Sequence, residues 1–229
     1  GLTLGAWLNW QFVARRLRRY TEAANDSLTL PDYLENRFED TSRALRVMSA
    51  VVILVFFTIY TSSGLVAGAT LFESSFDIDY HLALLIGVLV IMSYTFLGGF
   101  MAVSWTDFFQ GLLMFGALVI VPVIVIQHLG GWGETVAAVA QAERASIDIF
   151  SGMTGLGIAS LMAWGLGYFG QPHILARFMA IRSASEVPKA RLVGMSWMVF
   201  SLYGAMFTGF AGIGYFAGNR LENSETVFI

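Results

Sequence analysis

The chain has 229 residues, 56% of them hydrophobic and only 13% charged, with no cysteine and a formal net charge of −3. A charged fraction about half that of an average soluble domain, with a mean hydropathy of +0.67, excludes a water-facing globule and a disordered chain. The missing cysteines exclude disulfides and thiolate chemistry, and no basic tract suits a nucleic acid, so the surplus apolar surface is expected to face a lipid bilayer.

A bilayer core of roughly 30 Å needs about 20 apolar residues of helix. Six segments meet or approach that length: residues 1–14, cut short at their start, then 47–72, 82–97, 108–126, 152–170 and 192–217. Each is apolar on most sides, and none has the two-residue alternation of a membrane strand. The expected fold class is an all-α polytopic membrane protein with about six transmembrane helices. The chain opens at Gly1 inside an apolar stretch and closes on a new run, Val227-Phe228-Ile229, so it reads as an internal fragment of a larger membrane protein.

The loops set the orientation. Arg15, Arg16, Arg18, Arg19, Arg37, Arg43 and Arg46 lie in the first loop, residues 15–46. Arg177, Arg182, Lys189 and Arg191 follow the fifth span, so 11 of the 13 basic residues share one side, which is expected to be cytoplasmic. The opposite loops, including residues 129–151, hold only Arg144 and Arg220 and are otherwise acidic, with Glu73, Asp77, Asp79, Glu134, Glu143 and Asp148. A short cytoplasmic helix is expected over 30–38, with Pro31 in its first turn where no amide donor is missed. An external amphipathic helix is expected over 132–145, with Val136, Val139 and Ala140 on one side.

Several features could carry chemistry. In the second span, Tyr60, Thr61, Ser62 and Ser63 form a polar cluster, followed by Gly64 and Gly68 at helix-packing spacing. The fourth span opens Ser104-Trp105-Thr106-Asp107, a capping-box pattern. Asp107 is either a helix cap or an acid that couples an ion, since acids bordering a span are costly and often functional. The fifth span ends Trp164-Gly165-Leu166-Gly167-Tyr168-Phe169-Gly170-Gln171-Pro172. Gly165, Gly167 and Gly170 beside Pro172 should break or loosen the helix. Broken helices are tolerated in lipid only where protein or a wet cavity surrounds them, and transporters use such breaks to bind substrate and ions. Close helix packing through glycine is the alternative there, and it is the expected use of Gly214 and Gly218 in the sixth span. His81, His128 and His173 make no metal spacing, and no nucleophile–base pair or Walker loop is present, so enzyme chemistry has no visible carrier.

The run Tyr94-Thr95-Phe96-Leu97-Gly98-Gly99-Phe100-Met101-Ala102-Val103-Ser104-Trp105-Thr106-Asp107 resembles the signature of the sodium/solute symporter family. Residues 164–180, WGLGYFGQPHILARFMA, and 28–40, LTLPDYLENRFED, resemble its proline-transporting bacterial branch. The resemblance covers essentially the whole chain. It implies an inverted-repeat transporter bundle with a broken helix, of which this fragment would supply six of the usual thirteen spans. The fifth span would open the second repeat. The resemblance also implies that Tyr60, Trp164, Tyr168 and Pro172 serve substrate recognition or its gating, and that Asp107 serves sodium-dependent function. The principal sodium ligands would lie before Gly1 and after Ile229.

The function this implies is import of L-proline, coupled to sodium by alternating access, across a bacterial inner membrane by a multi-pass protein. A sodium symporter for another small amino acid or carboxylate is the nearest alternative, and a polytopic membrane enzyme or a channel stands further off.

Overall fold

The computed structural model describes residues 1–142 and 152–217. Among these the regular structure is entirely helical: α1 Leu2–Leu8, α2 Arg15–Ala23, α3 Leu30–Phe38, α4 Ala44–Phe76, α5 Tyr80–His128, α6 Trp132–Ala142, α7 Gly155–Gly167, α8 Pro172–Met179 and α9 Val187–Tyr215. A π-helical stretch, Asn9–Ala14, joins α1 to α2. The chain is an all-α polytopic membrane protein. Arg144, Arg220, Glu143, Asp148, Gly218 and the end of the expected 132–145 helix lie outside the described residues.

Helices α4, α5 and α9 are long and apolar enough to cross a membrane, with mean hydropathies of 2.1, 2.5 and 1.3 over their most apolar stretches. Helix α5 differs from expectation. The expected spans 82–97 and 108–126 leave residues 98–107 between them, yet these are helical, and the only non-helical backbone inside α5 is at Gly99, with φ 51° and ψ −142°. About 19 residues precede that break and about 29 follow it, roughly 28 and 43 Å of helix, so each side alone is long enough for one crossing. The positive φ at Gly99 falls where glycine is accommodated at least cost. After it, the apolar run Phe100-Met101-Ala102-Val103 offers the backbone no competing partner. The hydroxyls of Ser104 and Thr106 donate back to the carbonyls of Phe100 and Ala102.

The described residues fall into two compact units. The first comprises residues 1–58 and 153–199. Its core joins Ala14, Tyr33, Leu175, Phe178, Met179 and Val187, with Trp10 and Leu17 packed against them. Leu175, Phe178 and Met179 recur three and four apart, which puts one apolar face of α8 on that core. The Trp10 and Phe178 ring centroids are 4.5 Å apart. On the loop side, α3 begins at Thr29, whose hydroxyl accepts from Asp32 N, with Pro31 in the first turn as expected. Arg46 then ties α4 back to α3 through Asp32 and Glu35, both at 2.8 Å.

The second unit comprises, among the described residues, 59–142, 152 and 200–217. Here Gly204 of α9 lies so close to α5 that an added Cβ would stand 2.6 Å from the Leu118 carbonyl oxygen. Trp132 of α6 stacks on Phe210 at 5.6 Å. Thr135 and Val139 are the buried residues of α6, while Val136 and Ala140, expected on the apolar side with Val139, are half-buried. Gly214 packs against Ala138 and Val139, the use expected of it.

Candidate functional site

The first unit contains an interrupted helix. Helix α7 runs to Gly167, and α8 starts at Pro172. Between them the bonding tightens: Phe169 N donates to Leu166 O and Gly170 N to Gly167 O, both at 3.2 Å. Gln171 is extended, at φ −74° and ψ 114°. The cause is local. In a continued helix Tyr168 O would accept from residue 172, which is proline and has no N–H, and its ring would press on that same carbonyl. Gly167 and Gly170 add low helix propensity on either side.

Gly165 has a different place from the one expected. It lies within α7, is buried, and meets Gly5 of α1 backbone to backbone. An added Cβ on Gly5 would stand 2.2 Å from Gly165 O, and one on Gly165 would stand 2.6 Å from Gly1 O. Gly165 therefore packs helices, and the interruption belongs to residues 168–171.

Trp164 and Tyr168 are one helical turn apart, so they project from neighbouring positions on one side of α7. Trp164 is 71% exposed and Tyr168 half-buried. Pro172 opens the next helix and is half-buried. Beside it, the His173 ring meets Phe57 of α4 edge-on at 5.6 Å. The structure thus brings Trp164, Tyr168 and Pro172 to one place, the end of α7 and the start of α8.

Tyr60 and Asp107 belong to the second unit. Tyr60 is exposed in the middle of α4, where Ser63 donates to its carbonyl at 2.8 Å. An added Cβ at Gly64 or Gly68 would meet nothing within 4 Å. Asp107 is exposed on α5. The expected capping box is not formed: Ser104 is inside the helix, and its hydroxyl serves the Phe100 carbonyl instead of a free amide. Among the described residues no group of three or more His, Asp or Glu side chains could hold a metal ion.

Two residues of the first unit were not singled out from sequence. Gly5 pairs with Gly165, and the signal was Gly1-x-x-x-Gly5 at the spacing of Leu161-x-x-x-Gly165. Asn9 is fully buried, and its Nδ2 donates to Tyr168 O at 2.6 Å. Its signal was a carboxamide inside an apolar run, together with a proline four residues after a carbonyl that would need another donor.

The sodium:solute symporter family profile matches residues 1–228. The chain belongs to that family. It is 54% identical over its whole length to the high-affinity proline transporter PutP of Bacillus subtilis strain 168, covering 49% of that protein. It is 54% identical to the sodium/proline symporter of Escherichia coli K12 and 49% identical to that of Staphylococcus aureus, covering 47% and 45% of them. The chain therefore spans about half the length of the curated relatives it matches. No solved structure matches it.

Proposed function

We propose that the protein to which this chain belongs imports L-proline together with sodium by alternating access, and is not an enzyme. The observation that carries the reading is identity of about half along the entire chain to proteins named for sodium-coupled or high-affinity proline transport. The interrupted helix at 168–171 agrees with it, because transporters of this general design place substrate at such breaks.

The chemistry is coherent. Proline is a zwitterion with a compact apolar ring and a secondary ammonium. The Trp164 and Tyr168 faces can pack the ring and attract the cation, with Pro172 narrowing the same place. Tyr60 is assigned to substrate recognition or its gating on the family resemblance alone. Asp107 takes the role of an acid in sodium coupling. The residue 15–46 loop and the segment after α8 face the cytoplasm, and the membrane is the bacterial inner membrane. The six spans at 1–14, 47–72, 82–97, 108–126, 152–170 and 192–217 belong to this proposal.

The deciding experiment is uptake of labelled L-proline into proteoliposomes holding the whole protein. Uptake should require an inward sodium gradient, collapse when potassium replaces sodium, and be competed by unlabelled proline ahead of other amino acids. Sodium-independent flux, or stronger competition by a different amino acid, would overturn the reading.

A further inference from the structure

Two prolines of this chain lie beyond the first turn of a helix or at a helix restart, and each deprives a carbonyl four residues earlier of its donor: Pro122 strands Leu118 O and Pro172 strands Tyr168 O. The two carbonyls are met differently. Leu118 O lies against Gly204, where close approach of α9 covers it. Tyr168 O receives a side-chain hydrogen bond from Asn9, 159 positions earlier in the chain.

Asn9 is built for that bond. It opens the π-helical stretch, a widened turn of a kind that recurs at functional sites. It is 0% exposed. A carbonyl can only accept, so the amide group must turn its NH2 toward Tyr168, which fixes the side chain's orientation. The Asn9 Oδ1 then points away, buried and with no donor among the described residues. An unpaired buried acceptor is unfavourable. If the position needed only filling, an apolar side chain of the same size would do it without that penalty. The polar group is therefore there for the Tyr168 carbonyl.

We infer that Asn9 is a positioning residue for the substrate site: its side chain is a strut that holds the interrupted stretch 168–171 in one shape, and so fixes Tyr168 against Trp164 and Pro172. This rests on the reading of the break as a wall of the substrate site. It assigns Asn9 no contact with substrate or sodium.

The chain has no cysteine of its own, so Gln171→Cys, at an exposed position in the interruption, reports on the strut. Its alkylation by N-ethylmaleimide is measured in the whole protein with native cysteines elsewhere removed. The backgrounds are Asn9, Asn9→Leu, and Asn9→Ser, which is small enough to fold readily and too short to reach the carbonyl. Met179→Ala, which loosens the same core without touching the strut, is the control. Both Asn9 variants should speed alkylation about fivefold or more. They should also raise the proline concentration for half-maximal uptake, with maximal uptake and membrane abundance near normal. Met179→Ala should lower thermal stability and change neither. Unchanged alkylation in a folded Asn9 variant overturns the strut. Faster alkylation with unchanged half-saturation leaves the strut standing and removes the substrate assignment of the break instead.

Discussion

The contact between Gly5 and Gly165 makes a sharp prediction, because both sides of it are backbone. An alanine Cβ at position 5 would stand 2.2 Å from Gly165 O and 2.4 Å from Gly165 Cα. Ordinary contact needs about 3.4 Å or more, so the overlap is roughly 1 Å, and no rotamer can relieve it. Helices α1 and α7 must part. Overpacking of this kind costs about 1–3 kcal/mol. The displacement also acts on the site, because Asn9 is one turn beyond Gly5, and its 2.6 Å bond to Tyr168 O has less than 1 Å of slack before it fails. Gly5→Ala should therefore lower the melting temperature of the detergent-solubilised protein by several degrees, at about 2–4 °C per kcal/mol for chains of this size. Gly165→Ala should do likewise, because its Cβ would stand 2.6 Å from Gly1 O. Gly133→Ala is the control: its Cβ meets nothing within 4 Å on α6, and alanine favours helix there. Melting curves for Gly5→Ala and Gly133→Ala that coincide would refute the close approach.

Three further outcomes can be checked. Trp164→Ala and Tyr168→Ala should each raise the proline concentration for half-maximal uptake by about five- to thirtyfold, the equivalent of roughly 1–2 kcal/mol of aromatic contact, while Trp197→Ala on α9 leaves it unchanged; equal effects from all three would reduce the pair to packing. Cysteines at Glu22 and Ser185, both exposed on the basic side, should be shielded from an impermeant thiol reagent in intact cells, and one at Ser74 should react; the reverse labelling pattern would invert the orientation. The Ser42 hydroxyl and the Leu45 amide, the latter at 2.7 Å, hold the Asp40 carboxyl below its ordinary range. A depressed carboxyl stabilises the folded form above the ordinary value of about 4 and loses that contribution as pH falls through the lower folded value. Amide-exchange protection at the start of α4 should therefore be flat from pH 8 to 5 and decline below about pH 4, and Asp40→Asn should abolish that decline.

How far the sequence discloses this structure depends on how local each cause is. The Leu30–Phe38 helix was legible because its cap, proline and acid lie within four residues of one another. The interruption after Gly167 was legible for the same reason, since Pro172 and its carbonyl are four apart. The boundary between the third and fourth spans is less legible. Hydrophobicity leaves residues 98–107 between the two spans, and in the structure one residue of positive φ, Gly99, is the non-helical point there. The hydroxyls of Ser104 and Thr106 bond backward into the helix and leave its ladder intact.

What escaped the sequence depends on partners far along the chain. Residues 9–14, Asn-Trp-Gln-Phe-Val-Ala, contain no breaker, and nothing in their propensities asks for a π-helix. The widening lies between two fixed demands. On one side Gly5 is locked to Gly165 at backbone contact. On the other, Trp10 must reach both Phe178, at 4.5 Å, and the face of Gly194, where an added Cβ would touch its ring at 3.4 Å. An ordinary helix advances about 100° per residue, and a wider turn changes the angle between those two contacts without breaking either. Asn9 stands at the start of that turn, where its N–H still donates to Gly5 O, and from there its side chain reaches the Tyr168 carbonyl. The last three glycines of the fifth span separate on this basis as well: Gly165 is required by a neighbour, whereas Gly167 precedes the interruption and faces a flexible side chain, and Gly170 lies within it and faces open space. Sequence alone weighs them equally, because the difference is set by α1, about 160 residues away.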